Sequence, residues 1–211
     1  MSVVISPLST YAEDEKSFKS AEQQLKDFFK NTKSLTADFT QITLDEKGQQ
    51  IEEQAAAGLF ILERPGKFRW HAITPSELVL LADGKNFWNY DVDLEQAIVK
   101  PIDETLSNTP AMLLSGESDV LKAFDIGSSF GTTLEIGNVE WVQLTPKDKN
   151  SDFSRLSIGF LGDTIRLMEL ATNVGQIIRV ELTDVQINAK LKASLFEFVV
   201  PEDVDVIGEA L

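Results

Sequence analysis

The chain has 211 residues, with 19 Lys and Arg against 34 Asp and Glu, a formal charge of −15 and no cysteine. That balance excludes nucleic acid, whose backbone needs a Lys/Arg patch, and it opposes docking on anionic headgroups. Without cysteine there is no disulfide, zinc-thiolate site or thiol nucleophile, and no stretch reaches the roughly 20 apolar residues of a spanning helix.

The start, "MSVVISPLSTYAEDE", places a short apolar run before Thr10-Tyr11-Ala12 and an acidic stretch. Residues 1–12 read either as the small-x-small end of a signal peptide, without its basic front, or as a disordered tail. Residues 13–211 read as one domain, with no linker inside it. Phe18, Ala21, Leu25 and Phe28 recur at helical spacing, which predicts an amphipathic helix over 14–31. "SLTADFTQITL" alternates like a half-buried strand, the acidic loop "DEKGQQ" follows, and Gly58–Leu62 reads as the next strand core. "ELVLLADGKNFWNYD" is two strands joined by an Asp83-Gly84 turn, and "QAIVKPI" is another strand.

The β pattern breaks at "TLSNTPAMLLSGESDVLKAF". Thr109 suits an N-cap and Pro110 the first helical position, and Ser115-Gly116 stops the helix at once. Its body is apolar on every side, which predicts cover on both sides. Ser118 caps a second short helix through Phe124. From residue 132 strands return in "TTLEIGNVEWVQLTP", "FSRLSIGFLG", "IRLMELATN", "IIRVELTDVQIN" and "LFEFVVP". Short strands with local turns indicate an up-and-down antiparallel sheet that curls.

Catalytic signatures are poor. His71 is the only histidine and alternates outward beside Trp70, so it reads as a surface residue. Gly127-Ser128-Ser129-Phe130-Gly131 spells G-x-S-x-G, yet no histidine follows Ser129 and strands stand where the elbow's helix should be. No catalytic residues, metal site or cofactor are expected, and the chain reads as a binding protein rather than an enzyme.

The apolar faces are more informative. Phe60, Leu62 and Arg64 share one face of their strand, and Phe68 and Trp70 the same face of the next; Trp88 pairs with Tyr90, and Phe196 with Phe198. Such faces form either an ordinary core or the lining of a cavity. Arg64 favours the cavity, because a guanidinium in a closed core needs full pairing. At the rim of a curled sheet it can donate to the orphan carbonyls at a helix end, latching a lid; otherwise it snorkels to solvent.

In order along residues 17–207, "SLTADFTQ", "GLFILERPGKFRW", "LLADGKNFWNYD", "NTPAMLLSG" and "LFEFVVPEDVDVI" resemble the LolA family of periplasmic outer-membrane lipoprotein carriers. The resemblance implies an unclosed, highly curved antiparallel β-barrel, mainly β, covered by an N-terminal helix and short lid helices. It implies a periplasmic monomer that binds the acyl chains of lipoproteins. An inner-membrane lipoprotein-releasing ABC transporter would supply the cargo and an outer-membrane lipoprotein acceptor would receive it. Arg64 matches the family's lid latch, and Phe68 and Trp70 its cavity aromatics. The acyl-chain cavity is then expected from Phe60, Leu62, Phe68, Trp70, Trp88, Tyr90, Met112, Leu113, Leu114, Phe196 and Phe198. Ala111 departs from the large aromatic that follows Asn-Thr-Pro in better-known members, which implies a roomier cavity or a looser lid. The alternative is a LolA-like domain that binds or senses free lipid without shuttling lipoproteins.

Overall fold

The computed structural model describes residues 20–102, 110–128, 132–134 and 137–211. The tail at 1–12, the helical positions 14–19 with Phe18, and the Thr109 cap lie outside the described residues. Helix α1 runs over Ala21–Asn31, later than the pattern predicts, because Ser20 is extended and its side chain accepts the Gln23 amide as an N-cap. Leu25, Phe28 and Phe29 are on its buried face.

Six strands follow as a meander: β1 (Ser34–Leu44), β2 (Gln50–Glu63), β3 (Lys67–Thr74), β4 (Leu78–Asp83), β5 (Asn86–Asp91) and β6 (Gln96–Pro101). β2 begins well before the expected Gly58. Its first half, "QIEEQ", is exposed or half-buried, so it carries no alternation to read. The Asp45 carboxylate accepts the amides of Lys47 and Gln49, which sets the turn that brings this half back onto β1.

Helix α2 (Pro110–Ser115) interrupts the strands, followed by a 3-10 turn over Ser118–Ala123. Glu117 holds the N-cap position of that turn without a side-chain bond, so Ser118 opens the turn rather than capping it. Strands then resume as β7 (Phe124–Ser128), β8 (Thr132–Leu134), β9 (Gly137–Pro146), β10 (Phe153–Leu161), β11 (Thr164–Thr172) and β12 (Ile177–Ile187). The expected strand at "LFEFVVP" is instead a 3-10 turn at Ala193–Phe196 and irregular chain, leading to a short β13 (Asp205–Ile207).

The strand order is β13-β6-β5-β4-β3-β2-β1-β12-β11-β10-β9-β7, with β8 paired to β9. Neighbours are antiparallel except β13 and β6. β1 joins the two halves by pairing with both β2 and β12. β13 and β7 end the path unpaired with each other, so the curved sheet is unclosed. One large core lies on its concave side and contains α1, α2, Phe39, Phe60, Leu62, Phe68, Trp70 and the inward residues of β9–β12.

Glycine matters at one central position. A Cβ on Gly58 would lie 1.9 Å from the His71 carbonyl oxygen, so only glycine lets β2 and β3 pair there. Across β2 the rings of Phe39 and Trp70 stack, with centroids 3.7 Å apart and 27° between planes.

Candidate functional site

Arg64 follows the last residue of β2, and its side chain enters the gap between the two helix ends. Nε donates to the carbonyls of Leu114 (3.1 Å) and Gly116 (2.9 Å), and Nη2 to Leu114 (2.7 Å). Nη1 donates to the carbonyls of Phe28 (3.1 Å) and Thr32. All four acceptors sit at the C-terminal ends of α1 and α2, where the helix dipole is negative; Phe28 also accepts the Thr32 amide that caps α1. The guanidinium also lies 4.6 Å and 4.5 Å from the ring centroids of Phe28 and Phe29. Burial lowers its pKa to about 10, still well above neutral, so it stays charged.

The backbone beside it repeats the tie. The Gly66 amide donates to the Ser115 carbonyl at 2.9 Å, and the Arg64 amide to the Lys33 carbonyl at 2.8 Å. The sequence expectation ties Arg64 to the short helix alone; the structure adds α1, so one side chain clamps both helices. Periodicity carries no signal for that second partner.

α2 is the cover its composition implies. Ala111, Met112, Leu113 and Leu114 are all buried. Its C-terminal end is held by Arg64, and its N-terminal end, at Pro110 and Ala111, roofs a cavity of about 190 Å³. Among the described residues the rest of the lining is Trp70, Leu80, Met168, Leu170, Ile178, Val180 and one polar residue, Gln41.

The expected cavity residues divide into three groups. Trp70 lines the open space. Phe60, Leu62 and Phe68 face the same concave side but are fully covered, packed in one core with Met112, Leu113 and Leu114. Trp88, Tyr90, Phe196 and Phe198 are not in the cavity, which corrects the sequence expectation. Strand pairing puts Trp88 opposite Leu81 and Tyr90 opposite Val79, on the convex face. There Trp88 stacks on Phe198 at 4.7 Å and Tyr90 meets Phe198 edge-on at 5.4 Å, in a separate cluster with Val79, Leu81 and Val99. Phe196 lies on that same side, its ring 6.0 Å from Lys67 Nζ.

The reason is parity. "NFWNYD" offers adjacent aromatics, and Phe87 rather than Trp88 joins the concave core. Alternation within one strand fixes which residues share a face, never which face it is. Sequence reading missed Gln41, Leu80 and Pro110 in the lining, and also Met168, Leu170, Ile178 and Val180, which alternate in "IRLMELAT" and "IIRVEL". Their pattern is that of plain core strands.

His71 sits on the convex side, with Nε2 2.7 Å from Glu77 Oε1, apart from the cavity. No helix among the described residues is long and apolar enough to cross a membrane.

The curved sheet thus holds an apolar hollow under α2, whose C-terminal end is tied to Arg64. The family "Outer membrane lipoprotein carrier protein LolA" matches residues 30–199, which include Arg64, α2 and every strand lining the cavity. The chain belongs to the LolA family. Among LolA-type relatives, the "Outer-membrane lipoprotein carrier protein" of Nitrosospira multiformis is 42% identical over 189 residues, covering 88% of this chain and 87% of that one. The protein of the same name from Azotobacter vinelandii is 40% identical over 210 residues, covering 99% and 96%. In fold, the LolA-type chain is similar to an uncharacterized conserved protein from Thermus thermophilus. That match has a TM-score of 0.58 and 13% identity, covering 90% of this chain and 99% of that one.

Proposed function

We propose that this chain is a periplasmic, monomeric carrier that shields the acyl chains of lipoproteins under α2. In this reading it takes them from an inner-membrane lipoprotein-releasing ABC transporter and gives them to an outer-membrane acceptor. The observation that carries the reading is the clamp of Arg64 on both helix ends beside an apolar hollow. The names of its relatives support it.

The energetics suit a shuttle. Each buried CH₂ is worth about 0.8 kcal/mol, so acylated cargo needs an apolar shelter to cross water. The hollow of about 190 Å³ is below the roughly 300–1,000 Å³ of ordinary ligand pockets. Loading therefore requires α2 to lift. Lifting breaks the Arg64 bonds to Leu114 and Gly116 and the Gly66–Ser115 bond. The closed empty state competes with cargo, and its return favours release.

The test is to add the purified protein to inner-membrane vesicles holding newly acylated lipoprotein and ATP. A soluble lipoprotein complex that appears only with the protein supports the carrier. Uptake of free lipid, with lipoprotein left in the vesicles, would favour the lipid-binding alternative.

A further inference from the structure

Gln41 is the one polar side chain among the described residues that line the cavity. Gln41 is on the concave side of β1, where its cross-strand neighbours are Ala56 on β2 and Val180 on β12. Neither neighbour's side chain offers a donor or an acceptor. Among the described residues the Gln41 side-chain amide makes no hydrogen bond, and the residue is half-buried in a lining otherwise built from Trp, Leu, Pro, Ala, Met, Ile and Val.

Gln41 is only half-buried, so its amide is open to solvent when the hollow is empty. Once acyl chains fill the hollow, that water is displaced, and an amide facing only CH₂ groups would lose its partners at a substantial cost. A purely hydrocarbon ligand would favour Leu here, as at Leu80 or Leu170. A ligand carrying a carbonyl at that depth turns the cost into a gain, because the Gln side chain has two N–H donors.

We propose that Gln41 donates a hydrogen bond to an acyl ester carbonyl of the cargo, so that the cavity recognises ester-linked diacylglyceryl groups rather than apolar chains in general. This rests on the carrier reading above. It assigns Gln41 a binding role in specificity: the residue fixes how deep the linkage enters, and Trp70, Met168 and Ile178 contact the chains beyond it.

The test compares two synthetic lipopeptides: a cysteine-linked dipalmitoylglyceryl peptide and its dihexadecyl ether counterpart, which lacks both carbonyls. Isothermal titration with the wild-type chain should favour the ester by about tenfold, the worth of one hydrogen bond plus relief of the unpaired amide. Gln41→Leu should bind both equally, with the ether form bound at least as tightly as by wild type. Gln41→Met, of similar length and unable to donate, should also lose the ester preference, which keeps the test open if the Leu variant does not fold. An equal ester-to-ether ratio in wild type, or a ratio unchanged in both variants, overturns the inference while leaving the carrier intact. Failure of wild type to bind either lipopeptide would instead remove the carrier reading, and this inference with it.

Discussion

Replacing Arg64 by Leu isolates the latch. The guanidinium holds α2 through the Leu114 and Gly116 carbonyls and anchors itself to α1 through Phe28 and Thr32. Only the first pair must break when α2 lifts. Two charge-assisted acceptors at about 1.5–3 kcal/mol each set an upper range. Desolvation, visible in the lowered pKa, takes part of this back, leaving on the order of 2–4 kcal/mol. The closed state should therefore lose roughly 30- to 700-fold in population relative to the open one. Hydrogen exchange at the Met112–Ser115 amides reads this directly, and those amides should exchange faster by that factor. With the closed competitor weakened, Arg64→Leu should bind acyl cargo at least as tightly as wild type but deliver it poorly to acceptor vesicles. Lid exchange and delivery both at wild-type rates would refute the latch.

Three further outcomes follow from other parts of the fold. Ala111→Leu places three more carbons in the cavity roof and should stabilise the empty protein by about 0.5–2 kcal/mol while weakening uptake of a neutral apolar dye; thermal melts and dye titration check both, and stronger uptake would contradict the roof assignment. Trp88→Ala removes the convex-face stack on Phe198 and should cost roughly 3 kcal/mol in urea unfolding without changing lipopeptide affinity; a matching loss of affinity would return Trp88 to the cavity. Asp83 is partly desolvated, which raises its pKa, but bonds from Asn86, Lys85 and Trp88 outweigh that and hold it below 3.8. Its contribution is therefore present above pH 3.8 and lost as pH falls through the lower folded value; Asp83→Asn should lower Tm at neutral pH and flatten the Tm–pH curve below 3.8, and parallel curves would refute this.

Much of the scaffold was legible. Strand alternation, the Asp83-Gly84 turn, and Pro110 with Ser115-Gly116 around an all-apolar segment marked the β elements and α2. Arg64 stood out because a cation closing an apolar strand requires a partner. The face of "NFWNYD" was not legible, since two adjacent aromatics satisfy either parity until β4 pairs with it. Nor was "LFEFVVP": Phe196 and Phe198 alternate like a strand, yet irregular chain laid over the convex sheet satisfies the same spacing. The second half of the clamp depends on how close α1 ends to β2, a tertiary distance that no local pattern encodes. Gln41 was hidden for the opposite reason: it keeps the inward register of Leu35, Ala37 and Phe39, but a polar side chain there reads as the end of the buried face.

The most direct test of cargo binding is native mass spectrometry of the purified protein mixed with a triacylated lipoprotein or its unacylated counterpart. A carrier should form a one-to-one complex with the acylated form only, weakened when a neutral apolar competitor fills the cavity. Equal complex formation with the unacylated protein, or none with either while free lipid is retained, would contradict it.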